Sequence, residues 1–516
     1  MQRSDNTKSL PPKAKLREEI DNTELRSTEQ SDREDNKFFD VKYHKKSWLF
    51  GFFGEKDGTR DARYFELKSV ISAFASECYR MYTNGHSPKY RSVYDRKHTL
   101  VFGTYSPHYQ LLDDHESVGF ISEKINKPIT LSQVFDFLDN LEEDGYLFCS
   151  PYISSYFYGS TIEKYFEETK DKLINWCRNS INRINEKFDK SKGVIEENDY
   201  LILKNTFINF LSNLKEEFLL ELDNEQLQYK QEGNFSAGKM GNKVDSMYKQ
   251  KIKEFYHSKI NPIKPKLIKK FEEYLLKNGL PEIMAIGYAL GEWSFKARDI
   301  IIDTTNYQVF KIDHERCLWE ISHALLVYLK GADMFGSPEK ISSQQSISSQ
   351  DIDEFPKRTN HPRFWPSSDD DQKYPQWFLD LFNREEFKKR AYITLLAFSI
   401  TPDKTMRSLG KQFFKPCDSD QIIEDVNKRK NNLKKAMKHS RKFSEFLIAM
   451  PDSEIESLFN AHNNRWNKQP KYEEICIDLG KIRNHLVELR NDLQRKKDQI
   501  DPLVNHIYTI KIPGMK

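Results

Sequence analysis

The chain has 516 residues, enough for two to four domains at roughly 100–200 residues each. Its 35 Phe, 25 Tyr and 7 Trp, within a hydrophobic content of 38%, exclude wholesale disorder, because disordered chains are poor in aromatics. With 81 Lys and Arg against 78 Asp and Glu, the net charge of +3 excludes a whole-protein field that would gather nucleic acid. Residues 1–36 are polar, charged and nearly free of large apolar side chains, which predicts a disordered arm. Over 38–109, aromatic-rich stretches alternate with Gly and Pro and predict a small mixed α/β unit. Within it Leu67, Val70, Ile71, Phe74, Cys78 and Met81 recur at helical spacing, a core-facing stripe that stops near Asn84-Gly85.

Residues 130–144 and 160–276 read as helices, interrupted by a Gly-, Asn- and Ser-rich loop at 231–243. Ile162, Phe166, Leu173, Cys177, Ile181, Ile184 and Phe188 mark one apolar side of the first long helix. The segment 342–353 is low in complexity and predicted to be flexible. The chain from about 376 to 500 is mostly helical, with amphipathic stretches at 378–398, 422–450 and 472–493. No internal repeat of solenoid period is present.

Six scattered cysteines form no CxxC pair and no zinc spacing, which fits a reducing compartment better than a disulfide framework. The N-terminal stretch has no apolar signal-peptide core, and no run of about 18 apolar residues predicts a membrane span. Eight lysines fall between 249 and 270, and eight Lys or Arg between 428 and 442. Such clusters can draw phosphoinositide headgroups or an anionic membrane surface, although a solvated helix face balanced by Glu is the simpler reading. Without an aromatic platform or a recognition motif they argue against nucleic acid.

The informative place is a hairpin. Ile300, Ile301 and Ile302 predict a short strand, residues 303–306 a turn, and YQVFKI at 307–312 a second strand, with Asp299 and Asp313 at its two mouths. Paired carboxylates are a common way to hold Mg²⁺ together with substrate phosphates. The spacing is similar to the catalytic core of kinases, where a base Asp precedes a metal-binding Asn by five residues and a hairpin leads to a second metal-binding Asp. On that plan Ser294 takes the base position, Lys296 follows two residues on, and Asp299 and Asp313 are the metal ligands. Glu66 and Glu77 lie at nearly the same angle on the predicted helix, so either could pair a phosphate-holding Lys, for which Lys56 is the nearest candidate.

Several short blocks carry a family resemblance: Lys56-Asp57-Gly58-Thr59-Arg60-Asp61, Ala75-Ser76-Glu77-Cys78-Tyr79-Arg80, Gly85-His86-Ser87-Pro88, Gly291-Glu292, Lys311-Ile312-Asp313, Leu318-Trp319 and His361-Pro362-Arg363-Phe364-Trp365-Pro366. In this order the chain resembles secreted effector kinases of intracellular bacterial pathogens, with a phosphatidylinositol-kinase-like or protein-kinase-like core. The catalytic loop of such relatives looks like G-E-x-D-x-H-x-x-N, and here the Asp, His and Asn positions hold Ser294, Lys296 and Asp299. Asp for Asn keeps a metal oxygen and Lys for His keeps a cation, whereas Ser294 removes the base. Glu292 is the candidate substitute.

The resemblance implies an α+β, divergent two-lobe kinase-like fold: a small mixed N-lobe over 37–150, and a large helical C-lobe over 151–400 that carries the hairpin region 291–313. A helical C-terminal domain over 401–516 completes it. It implies ATP with Mg²⁺ or Mn²⁺ as cofactors, and transfer to a phosphoinositide or a protein hydroxyl. It also implies synthesis in a bacterial cytoplasm and secretion into the host cytosol. A pseudokinase, or a helical adaptor that binds a host protein or an anionic membrane, stands as the alternative.

Overall fold

The computed structural model describes residues 20–21, 26–30, 38–43, 46–52, 62–83, 87, 90–94, 117–123, 125, 128–141, 151, 161–190, 193–292, 295–304, 308–314, 317–318, 347–356, 374–414, 416–457, 484, 486–495 and 498. The strands are β1 (Ile20–Asp21), β2 (Arg26–Gln30), β3 (Phe38–Tyr43), β4 (Lys46–Phe52), β5 (Tyr90–Tyr94), β6 (Ser117–Glu123), β7 (Pro128–Thr130), β8 (Ile300–Asp303) and β9 (Val309–Lys311). The helices begin with α1 (Ala62–Tyr82), α2 (Leu131–Asp139), α3 (Ile162–Lys190), α4 (Glu197–Glu232), α5 (Ala237–Phe255), α6 (Lys264–Lys277) and α7 (Leu280–Ala289). They continue with α8 (Ser349–Asp353), α9 (Gln376–Leu381), α10 (Glu385–Ile400), α11 (Asp403–Gly410), α12 (Pro416–His439) and α13 (Arg441–Ala449). The architecture is α+β.

The chain divides into two compact units: residues 1–125, 275–300 and 308–516 form the first, and 126–274 with 301–307 the second. This differs from the expected boundaries at 150 and 400. The helices beyond 401 do not stand apart, because α12 packs against α7 and α10 inside the first unit.

The first unit carries a six-stranded sheet in the order β1-β5-β6-β4-β3-β2. Strands β2, β3 and β4 run as an antiparallel meander, β4 and β5 each pair antiparallel with β6, and β1 joins the far edge parallel to β5. In the β3–β4 register Tyr43 stands opposite Lys46, the spacing of a two-residue hairpin. The arm expected to be disordered over 1–36 therefore contains β1 and β2. An exposed sheet edge offers main-chain donors and acceptors to any neighbouring extended segment, so polar composition does not bar pairing.

Helix α1 links β4 to β5 and packs along β5 and β6. The expected one-sided stripe understates it, for every residue from Ser69 to Thr83 is buried. Ser69, Ser72, Ala73, Ala75 and Ser76 supply the reverse face, where small side chains let other elements approach closely. Phe74 meets Phe413 and Phe414 at ring separations of 5.9 and 5.2 Å, and Tyr82 meets Phe398 at 5.5 Å. The segment expected to be flexible over 342–353 holds α8, closed by a capping box between Ser348 and Asp351.

In the second unit β7 pairs antiparallel with β8 and leads into α2, which starts on a capping box of Thr130 and Gln133. The long helices interlock through a heptad-like seam. The buried positions of α4 (Tyr200, Leu203, Phe207, Leu211, Leu214, Phe218 and Leu222) step by three and four. Phe207 centres a ring cluster with Phe188 at 5.7 Å and Phe255 at 5.2 Å. The expected loop at 231–243 shrinks to 233–236: Gly233 ends α4 at φ 72°, and Ser236 caps α5. The apolar period of Ala237, Met240 and Val244 carries helix into the Gly-rich stretch.

Candidate functional site

The charged residues of the site, Glu292, Asp299, Lys311, Asp313 and His314, all belong to the first unit. Helix α7 is buried on all sides from Leu280 to Ala289 except at Glu282. Its end is a Schellman turn, in which Gly291 N donates to Tyr288 O at 3.2 Å and Glu292 N to Gly287 O at 2.8 Å. Gly291 sits at φ 64°, which glycine adopts without the cost a side chain would add. The turn delivers Glu292 into a fully buried position.

Beyond it Phe295 is buried, its carbonyl accepting from the Tyr374 hydroxyl at 2.8 Å. A single 3₁₀ turn over Ala297–Asp299 then feeds β8. Ile312 N donates to Asp299 O at 2.9 Å, so the two mouths of the hairpin lie side by side. Asp299 itself is buried, with Arg298 Nε 3.9 Å from its carboxylate.

A lysine lies on strand β9, between Asp299 and Asp313 in the chain. Lys311 is fully buried and its Nζ donates to Ile312 O at 2.5 Å and to Asp313 O at 2.9 Å. Burial alone would pull the ammonium down, but Glu292, then Asp299, then Asp313 together hold it above its ordinary value. Asp313 adopts φ 58° and donates its N–H to the Tyr90 hydroxyl of β5 at 3.1 Å. Asp is among the few side chains that visit this left-handed region readily. Leu318, at φ 56°, is a costlier case, and its N–H is tied to Leu290 O at 3.1 Å.

Next to the aspartate, His314 is fully buried, with Nε2 2.9 Å from the Ser87 hydroxyl and its ring 4.6 Å from that of Tyr79. Burial first, and the Lys311 charge second, push the imidazole well below its usual range, so it is neutral. Burial and then Glu292 push the Tyr79 phenol well above its range. Burial likewise raises Cys78 and Cys317, which makes both thiols inert.

Glu292, Asp299 and Asp313 thus lie within electrostatic reach of one ammonium, whose hydrogen bonds go to main-chain carbonyls. Lys296 is half-buried at the start of the 3₁₀ turn. Glu77 is buried, and its carboxylate lies 3.7 Å from Arg80 on its own helix. Glu66 lies on α1 with its side chain outside the described residues; Ser294, Lys56 and the block 361–366 are outside them altogether.

Sequence reasoning passed over Lys311. Its signal was the two-residue period of β9, which puts Lys311 on the face of the buried Val309. It also passed over Arg429 and Lys430, read as part of a solvated basic face. Both are buried, Arg429 on the carbonyls of Ala289 and Tyr288, and Lys430 on Thr401 O and Asn427 Oδ1. The other basic cluster does follow the solvated reading at Lys249, Lys251 and Lys270, paired with Asp245, Glu217 and Glu196 at 2.7–2.8 Å.

The donors fit a hard divalent ion in kind, because Asp299 and Asp313 offer carboxylate oxygens from adjacent backbone. Among the described residues no group of three or more His, Cys, Asp or Glu side chains gathers as a metal cage. None of the described helices is long and apolar enough to cross a membrane. No protein-family model, curated protein or solved structure matches the chain.

Proposed function

We propose that this chain is a divergent kinase-like phosphotransferase that takes ATP and passes phosphate to a phosphoinositide or protein hydroxyl. The observation that carries the reading is the main-chain bond from Ile312 to Asp299, which sets two aspartates side by side at the foot of the hairpin. The order of elements supports it. In kinases the phosphate-holding Lys is on the third strand and its Glu on the helix that follows; here the meander β2-β3-β4 leads straight to α1 with Glu66 and Glu77.

Asp299 and Asp313 would hold Mg²⁺ or Mn²⁺, which when bound draws negative charge from the phosphates and shields it from the attacking hydroxyl. Lys311 keeps the Asp313 backbone in place through its two carbonyl bonds. Tyr90 holds the same residue from the sheet side. Lys296, three residues before Asp299, is the cation that would meet a transferring phosphoryl group.

A non-catalytic member of the same class is the second reading, favoured by Ser294 at the base position. Loss of a base removes about 10²–10⁴-fold in rate, while positioning and electrostatics remain. On the resemblance to secreted effectors, either form would act in a host cell, on a host protein or an anionic membrane surface.

The test is thermal melting with ATP and Mn²⁺, followed by transfer of labelled phosphate to phosphoinositide vesicles and to host lysate. An active kinase melts higher with ATP and labels a substrate; a degenerate one does only the first. Asp313→Asn, which keeps the left-handed backbone, should abolish the ATP-dependent rise. A rise unchanged in that variant, or no rise in the wild type, ends the proposal.

A further inference from the structure

The last turn of α7 leaves four carbonyls that no residue of the helix itself can satisfy, and the structure accounts for each. Gly287 O takes Glu292 N and Tyr288 O takes Gly291 N, as in the Schellman turn above. Leu290 O takes Leu318 N at 3.1 Å, from the loop that follows Asp313. Ala289 O accepts from Nε of Arg429 at 2.9 Å, and Tyr288 O takes a second bond from Nη2 of the same residue at 2.7 Å.

Arg429 comes from α12, about 140 residues later in the chain, and is among the largest fully buried side chains of the protein. Its planar fork meets two successive carbonyls, which a lysine ammonium cannot do with the same geometry. A cation there also faces the negative end of the α7 dipole. The neighbouring Lys430 ties the same stretch of α12 to Thr401, whose hydroxyl lies 2.6 Å from the Tyr82 hydroxyl of α1.

We propose that Arg429 is a positioning residue for the candidate site: by capping α7 it fixes the turn that aims Glu292, and through Leu290 the loop that follows Asp313. Its guanidinium bonds go to the carbonyls of Tyr288 and Ala289, so it acts through the helix end. The inference rests on the proposed function only in calling the turn part of a site, and its test uses no nucleotide. Failure to bind ATP and failure of this inference are therefore separate results.

The test is residue-resolved amide exchange on the full chain, comparing wild type, Arg429→Lys and Leu433→Ala, the last a buried apolar position on the same helix. In Arg429→Lys the amides of Gly291, Glu292 and Leu318 should exchange at least about tenfold faster, ahead of the rest of the unit, because a buried carbonyl loses its donor. Leu433→Ala should speed the amides of the unit together. If Arg429→Lys leaves those three amides at wild-type rates, or speeds the whole unit evenly, Arg429 is an ordinary core residue and the inference fails. Should the lysine variant not fold, wild-type exchange in graded denaturant decides: the three amides should open together with α12, and earlier opening than α12 overturns the inference.

Discussion

Lys251 in α5 reaches Glu217 at 2.8 Å with the two side chains 36% and 44% exposed. Lys311 in β9 is fully buried, hydrogen-bonded to two carbonyls and held charged by the field of Glu292, Asp299 and Asp313. The first pair sits outside an apolar seam that would hold α3, α4 and α5 together without it. In the second the ammonium, Glu292 and Asp299 are buried, with little water to fall back on. One region places charge where exchange is cheap, and the other builds its backbone around charge. The difference separates a scaffold from a site.

Removing the buried ammonium should have the largest effect. Lys311→Met takes the donor from the carbonyls of Ile312 and Asp313 and removes a positive charge near Glu292, Asp299 and Asp313, at a cost of about 3 kcal/mol to the first unit. Adding Asp299→Asn should return part of that loss, since fewer buried charges remain uncompensated. Amide exchange of the first unit in graded urea measures both. A loss below about 1 kcal/mol would mean that the carboxylates do not depend on Lys311, and the contrast with Lys251 would collapse.

Gly287 offers a sharper and smaller probe. A Cβ at this position would lie 2.7 Å from the Tyr79 hydroxyl and 3.1 Å from Phe295 Cε2. Gly287→Ala should therefore destabilise by about 1–3 kcal/mol, despite alanine's better helix propensity. The Tyr79 hydroxyl is buried with no hydrogen-bond partner among the described residues, so Tyr79→Phe should be neutral or slightly stabilising. In the double variant the alanine should cost less. Thermal melts of the four proteins complete the cycle, and strict additivity would show that the hydroxyl is not what Gly287 makes room for.

Gly287 also marks where the sequence stops being legible. The helix around it can be read from its apolar run, and the hairpin from three isoleucines followed by a polar turn. The stripe on α1 and the seam of α4 follow from spacing alone. What spacing does not carry is identity of the partner. Glu77 was equally suited to a strand lysine, yet Arg80 lies 3.7 Å away on the same helix. Arg429 sits in a run of basic residues of which Lys428 and Lys435 are exposed, and its bonds to the α7 carbonyls set it apart from those two. The strands β1 and β2 were hidden for a related reason, since an edge recruits polar chain by its backbone and leaves no apolar signature.

Proton concentration tests the same contrast without mutation. The folded pKa of His314 is pushed well below its ordinary value, so the folded state resists protonation while the unfolded chain accepts it. The contribution is fully present above the unfolded pKa of about 6.5 and is lost as pH falls from there toward the folded pKa. The first unit should lose at most about 1.4 kcal/mol per pH unit below that point from this group. His314→Gln should flatten the decline, although carboxylate titration adds its own slope at lower pH. An unchanged slope between pH 6.5 and 5.5 in the variant would assign the decline elsewhere.

The smallest expected effect is the one that gives the others their meaning. Lys251→Ala removes an ion pair whose partners are both more than a third exposed. Hydrogen bonding to Glu217 outweighs partial burial and raises the lysine's pKa, but water and salt offer both groups nearly equal solvation once they part. The second unit should change by no more than about 0.5 kcal/mol, read by amide exchange over α4 and α5. The stem of Lys251 contributes little to the seam, because the positions filling it on α5 are Met240, Val244, Tyr248, Ile252 and Phe255. A loss comparable to that of Lys311→Met would show that α4 and α5 also depend on a specific charge. Burial, rather than the mere presence of an ion pair, would then no longer distinguish the two regions.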